Sequence, residues 1–246
     1  MCRFLIINSQ NPVSIAQYLP DFAKMCQASE RNQADGWGIA WPASPDLSSV
    51  SRQATQGGLA NNGWQAEKFL SPIWESTEKF TSFSPSKVFF VHARGSSFKK
   101  HRGNVDFNQP FVNGQNIFVF NGFLNSVKLP ENLEGPLRPR SEASQIGSQK
   151  IFNLLLKNNQ EGPASASVKV RLVLEDHSNL IEGLNYAFSD GANTTVVCRY
   201  LENPDYYAVR YYADQEKEIV SSYDFGQLTF KKLNNGEHLN LRKFSL

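Results

Sequence analysis

The chain has 246 residues, with 25 Lys and Arg against 23 Asp and Glu, a net charge of +2. So small a basic excess excludes a surface built to track nucleic-acid phosphates. A composition of 40% hydrophobic, 12% aromatic and 20% charged residues excludes a chain too polar to collapse.

Taken in chain order, an apolar run from Arg3 to Ile7 predicts a strand, and Ser14 to Ala28 a helix. Gly38 to Trp41 reads as a second strand, followed by a Ser-, Gln-, Gly- and Asn-rich loop from Ala43 to Gly63. A helix is expected over Trp64 to Lys79, then strands over Val88 to His92 and Ile117 to Phe120. Ser141 to Leu156 reads as a helix with Ser141 as its N-cap, because Ile146, Ile151, Leu154 and Leu155 recur at helical spacing. In Ser167 to Ile181, Val168, Val170, Leu172 and Leu174 alternate as in a strand, whereas the length and charges suit a helix, the reading adopted here. Thr195 to Tyr200, Tyr206 to Tyr211 and Leu228 to Leu233 read as closing strands. Strands at both ends with grouped helices between predict an α+β fold of antiparallel sheets covered by helices, as a single domain over residues 1–246.

The cysteines, Cys2, Cys26 and Cys198, are too few and too far apart for a disulfide framework or a metal site, which fits a reducing compartment. The apolar run Phe4 to Ile7 is shorter than the roughly 7–15 residues of a secretory signal. No run approaches the roughly 20 residues of a membrane span, so a cytoplasmic location without membrane or nucleic-acid partners is expected. Histidines 92, 101, 177 and 238 lack the spacing of zinc ligands. With no phosphate-binding or dinucleotide-binding glycine motif either, no metal and no cofactor is expected.

Cys2 carries the most chemical information. Removal of Met1 puts a thiol and a free α-amine on one residue, nucleophile beside base. An α-amine with a pKa of about 7.7–8.0 can take the thiol proton and later protonate a leaving amine. Position alone is weak evidence, since a second-residue cysteine is usually just a small residue.

Four further segments change that: Gln33 to Ala40, Val91 to Arg94, Asn108 to Phe111 and Phe120 to Gly122. With Met1 to Phe4 they stand in the order and spacing of the class II glutamine amidotransferases, which the chain resembles, within the N-terminal nucleophile hydrolase superfamily. It looks most like the small stand-alone members, the amidohydrolases of glutathione breakdown and ergothioneine synthesis. Leu184 to Gly191, Cys198 to Tyr200 and Ile219 to Ser222 extend the similarity along nearly the whole chain.

The resemblance implies a four-layer αββα sandwich. It also implies that Cys2 is the nucleophile, with Asn121 and Gly122 as the oxyanion hole. As an Asn-Gly pair after the apolar run Ile117 to Phe120, these two are expected in a tight turn at a strand end. Arg94 matches the residue that binds the α-carboxylate of glutamine, a task suited to a planar guanidinium. Its other reading is an internal ion pair. Ser97 falls where a substrate-contacting hydroxyl is common, though Ser96 serves equally.

His92 reads as a packed strand histidine, Asp35 to Gly38 as architectural, and the basic run Lys99 to Arg102 as a solvated loop. Arg140 stands where the family has an Asp that holds the α-ammonium, and a cation there repels it. The resemblance thus implies a cysteine-dependent amidohydrolase acting on a small-molecule glutamine-like or γ-glutamyl amide, with a synthase that accepts ammonia as a possible partner. The alternative, which Arg140 favours, is a catalytically impaired protein that keeps the scaffold for interaction or regulation.

Overall fold

A computed structural model of the chain describes residues 2–31, 33–43, 63–124, 146–175 and 181–243. Its architecture follows from strands that are apolar on both faces. In β1 (Arg3–Val13), Leu5 and Ile7 enter one apolar layer, while Phe4 and Ile6 enter another on the opposite side. Side chains alternate across a strand, so β1 needs cover on both faces and lies inside its sheet.

That sheet has seven strands in the order β11-β9-β10-β1-β4-β2-β3, and every pair is antiparallel. Its other members are β2 (Trp37–Pro42), β3 (Trp64–Phe69), β4 (Ser86–Ala93), β9 (Arg210–Ala213), β10 (Lys217–Ser221) and β11 (Lys231–Lys232). A second antiparallel sheet runs β12-β8-β7-β6-β5. It is built from β5 (Phe111–Asn113), β6 (Asn116–Leu124), β7 (Ile181–Ser189), β8 (Thr194–Cys198) and β12 (Glu237–Asn240).

Three apolar layers separate four structural ones. Leu19, Phe22 and Cys26 of α1 (Leu19–Ala28) pack on Leu5, Ile7, Ile39 and Val91. Between the sheets, Phe4, Ile6, Phe90 and Val220 meet Ile117, Val119, Ala187 and Val196. On the far side, Phe118, Tyr186 and Phe188 pack against Ile151 and Leu155 of α2 (Gly147–Asn158) and Val170 and Leu174 of α3 (Pro163–Glu175). The fold is therefore α+β, a four-layer αββα sandwich. No described helix is long and apolar enough to cross a membrane.

Several elements differ from the sequence expectation. Trp64 to Lys79 is not a helix. Its first six residues pair one for one with β2, and two 3₁₀ turns follow at Ile73–Glu75 and Thr77–Lys79. The open edge of β2 supplies backbone partners that a helix would forgo, and Trp64 fixes the pairing by donating Nε1 to Gln115 O at 2.7 Å. Tyr206 to Tyr211 is not one strand. Asn203 caps a short helix, α4 (Pro204–Tyr207), and extended backbone resumes at Arg210. Only Lys231–Lys232 of Leu228 to Leu233 enters a ladder.

The ambiguous Ser167 to Ile181 stretch is helical to Glu175, and β7 begins at Ile181. β7 has no counterpart among the expected strands, although Leu184, Tyr186 and Phe188 alternate with Gly183, Asn185 and Ala187 along it. Ser141 and residues 44–62 lie outside the described residues, and the N-cap of α2 is Ile146, whose N–H donates to Gln149 Oε1.

Candidate active site

Period-two alternation brings distant residues to one place between the sheets. The β1–β4 register pairs Arg3 with Ala93, so Cys2 stands opposite Arg94 just beyond both strands. Because Phe4 and Ile6 face the middle layer, Cys2 falls on that side too. On β4, Phe90 faces the same layer, and His92 and Arg94 follow it at two-residue steps. From the second sheet, Ile117 and Val119 carry Asn121 to the facing side.

Cys2 is half-buried, and its Sγ lies 4.0 Å from the Gly95 carbonyl. The other two thiols are inaccessible. Burial pushes the Cys198 thiol up to about 11 and raises Cys26 still further, so both stay protonated. Arg3 anchors the strand that carries Cys2. Its Nη1 donates to the carbonyls of Tyr206 and Ser222, both at 3.0 Å, and its guanidinium lies 4.0 Å from the Tyr206 ring centroid. A charged residue heading an apolar run is the one trace of this anchor in the sequence.

Arg94 is buried, with Nη2 donating to the His101 carbonyl at 2.7 Å and the Phe107 ring centroid 5.7 Å from its guanidinium. Nη1 is also buried and has no hydrogen-bond partner among the described residues. Burial lowers the pKa of this group, with Cys2 and Asp35 acting in the opposite sense, and a guanidinium remains charged regardless. Nor does Arg94 form an ion pair within the described residues. Asp35, the nearby carboxylate, is committed elsewhere, accepting from Ser96 N at 2.7 Å and pairing with Arg102 Nε at 3.2 Å. Asp35 thereby ties down the loop after β4. Ser96 Oγ closes that loop on the Phe98 carbonyl, Ser97 is exposed, and Lys99 and Lys100 face solvent. Arg140 lies outside the described residues.

Asn121 and Gly122 do not form a turn. They sit inside β6, in register with Asn185 and Leu184 of β7, because β7 continues the ladder past Phe120. Asn121 is fully buried, yet neither Nδ2 nor Oδ1 has a partner among the described residues. Its neighbour Asn185 is fully used, with Nδ2 donating to Tyr207 O at 2.6 Å and Oδ1 accepting from Arg199 N at 2.8 Å. Buried polar atoms are nearly always paired, so an amide left without a partner among the described residues has the capacity to bind a polar ligand atom.

Gly122 cannot carry a side chain, since a Cβ there would run into the Gly183 carbonyl and the Phe120 ring. Gly122→Ala is therefore expected to cost about 3 kcal/mol and lower Tm by roughly 6–12 °C in calorimetry, because backbone across a ladder cannot step aside. In an antiparallel ladder successive residues direct N–H and C=O to opposite edges. The N–H of Gly122 thus points to the same edge as those of Phe118 and Phe120, beyond the end of β5. His92 is fully buried and its Nε2 lies 3.2 Å from the Phe120 carbonyl. Burial holds its pKa down to about 3, with Arg94 and Lys68 acting in the same direction, so the ring is neutral at ordinary pH. Among the described residues no group of three or more His, Cys, Asp or Glu is placed to hold a metal ion.

No protein-family model matches this sequence, and no curated protein matches it. Solved structures do. A glutamine aminotransferase class-II domain protein from Silicibacter pomeroyi superposes with a TM-score of 0.62 at 16% identity, covering 100% of both chains. A predicted glutamine amidotransferase from Pseudomonas aeruginosa PA01 gives 0.55 at 14% identity, covering 99% of this chain and 98% of that one. Glutamine phosphoribosylpyrophosphate amidotransferase from B. subtilis, complexed with ADP and GMP, gives 0.58 at 12% identity. This chain spans 100% of its own length and 50% of that enzyme.

Proposed function

From the fold of the class II glutamine amidotransferase structures, which this chain has, we propose a cysteine-dependent amidohydrolase that cleaves a glutamine-like or γ-glutamyl amide. The observation that carries this reading is the orphaned, fully buried amide of Asn121 facing the layer of Phe4 and Ile6, the side to which strand alternation assigns Cys2.

With Met1 removed, the α-amine of Cys2 takes the thiol proton, and the sulfur attacks the amide carbon. Charge moves to the carbonyl oxygen, which accepts from Asn121 Nδ2 and Gly122 N–H. The tetrahedral intermediate collapses, the C–N bond breaks, and the α-ammonium returns its proton to the departing nitrogen. That leaves a thioester on Cys2. Water, deprotonated by the same amine, then attacks the thioester, releasing the acid and restoring the thiol. Arg94 holds the substrate's α-carboxylate through Nη1, and the exposed Ser97, three residues on, supplies a hydroxyl to the substrate. Ammonia or an amine leaves to solvent or to a synthase partner. Two buried thiols and a half-buried third suit a reducing compartment such as the cytoplasm.

The test begins with mass spectrometry of the intact protein, which is expected to lack Met1. A panel of γ-glutamyl amides with free and acylated α-amines is then assayed for ammonia or amine release. Acylated substrates are expected to turn over faster, because by the resemblance the cationic Arg140 takes the position of the family's ammonium-holding Asp. No release by protein that lacks Met1 would end the proposal. For Arg94→Gln, a charged contact worth about 1.5–3 kcal/mol is lost, so KM is expected to rise roughly 10–100-fold with kcat within a few-fold. Equal KM values for wild type and variant would refute that assignment.

A further inference from the structure

Beyond β5, the outer edge of β6 is completed by side chains in place of a strand. β5 pairs only Phe111–Asn113, against residues 116–118. The next rung of that ladder would join the backbones of Gln109 and Phe120, but β5 begins only at Phe111 and the rung is not made. The next backbone groups on this edge are those of Phe120. Its N–H donates to Gln109 Oε1 at 2.7 Å, and its C=O accepts from His92 Nε2 at 3.2 Å. Both side chains are buried, and each comes from a different element, Gln109 from the loop before β5 and His92 from β4 of the other sheet.

The Phe120 carbonyl shares a rigid peptide plane with the Asn121 N–H, so whatever orients that carbonyl orients the start of Asn121. Asn121 has no side-chain hydrogen bond of its own among the described residues to hold it. His92 also stands in register with Phe4, two residues along β1 from Cys2. A single imidazole thus links the strand that follows the thiol to the strand bearing the two donors.

We propose that His92 is a positioning residue which, as the neutral tautomer with its proton on Nε2, sets the spacing between Cys2 and the Asn121–Gly122 donors. This rests on the reading of those donors given above. The tautomer follows from the partner, since a carbonyl can only accept. Neutrality follows from the surroundings, a buried position with Arg94 and Lys68 nearby, where a further cation is disfavoured. No hydrogen bond joins the ring to Cys2 among the described residues, so His92 acts through Phe120 and not on the reacting atoms. Misplacing a catalytic group by about 1 Å can cost as much as ~10²-fold in rate, whereas ground-state capture through Arg94 is left alone.

The test compares His92→Leu with His92→Gln, whose amide N–H can donate to the same carbonyl. In the leucine variant kcat for γ-amide hydrolysis is expected to fall roughly 10–100-fold, with KM within twofold. Its rate of Cys2 alkylation by iodoacetamide, which forms no oxyanion, is expected to stay at the wild-type value. Glutamine is expected to recover most of kcat. A folded leucine variant with wild-type kcat overturns the proposal. So does a parallel loss of kcat, KM and alkylation that glutamine fails to restore.

If the leucine variant does not fold, nitrogen-detected NMR of wild-type protein decides. The ring of His92 is expected to show a protonated Nε2 whose shift is constant between pH 8 and pH 5. A ring that titrates in that range, or that carries its proton on Nδ1, overturns the role. Absence of Cys2-dependent hydrolysis in the wild type would instead defeat the functional reading, and the NMR result would be unaffected by it.

Discussion

Cys2→Ala is expected to lower amide hydrolysis by roughly 10⁴-fold or more while the protein keeps its fold, since removing a covalent nucleophile eliminates the pathway rather than slowing it. No other thiol can substitute. Cys26 and Cys198 are buried in separate apolar layers with their protons held on by burial. The stability cost is small, because the Cys2 thiol is half-buried and its contact with the Gly95 carbonyl, at 4.0 Å, is a weak one. Ammonia release measured beside thermal unfolding checks both halves. Hydrolysis by Cys2→Ala at anything near the wild-type rate would mean that the chemistry lies elsewhere.

Asn121→Leu is expected to reduce kcat about 10²–10³-fold, the usual loss for one oxyanion donor, while stability stays level or rises. The opposite signs follow from its surroundings. A buried amide with both polar atoms unpartnered costs about 1–3 kcal/mol, and an apolar side chain of similar shape removes that cost. Asn185→Leu supplies the contrast, because it severs two made hydrogen bonds, to Tyr207 and from Arg199. That variant is expected to unfold at lower temperature. Calorimetry and steady-state kinetics on the pair separate the roles, and an Asn121→Leu protein that is both active and destabilised would contradict them. Such a trade of stability for function is what a residue kept for a ligand shows.

Parts of the candidate site are legible from residue type and order. The Cys at position 2, the Arg closing Val91 to Arg94 and the Asn-Gly after Ile117 to Phe120 stand out in the chain, and His92 reads correctly as a packed histidine. The roles of Gln109 and Asp35 do not stand out, because each works by filling a backbone vacancy made by another segment. Gln109 serves Phe120 where β5 stops, and Asp35 serves Ser96 after β4 ends.

What the sequence determined by itself is which way side chains face. Phe4 to Ile7, Val88 to Val91 and Ile117 to Phe120 are apolar at successive positions, and period-two geometry then sends alternate residues to opposite layers whatever their neighbours are. What only the tertiary structure decided is which backbone edges find partners. Trp64–Phe69 became a strand because β2 offered an edge, and Asn121 and Gly122 stayed in one because β7, about 60 residues away in sequence, continued beside them. Hydrogen-bond satisfaction between strands is a property of pairs brought together by the whole core, so a local window of residues does not contain it.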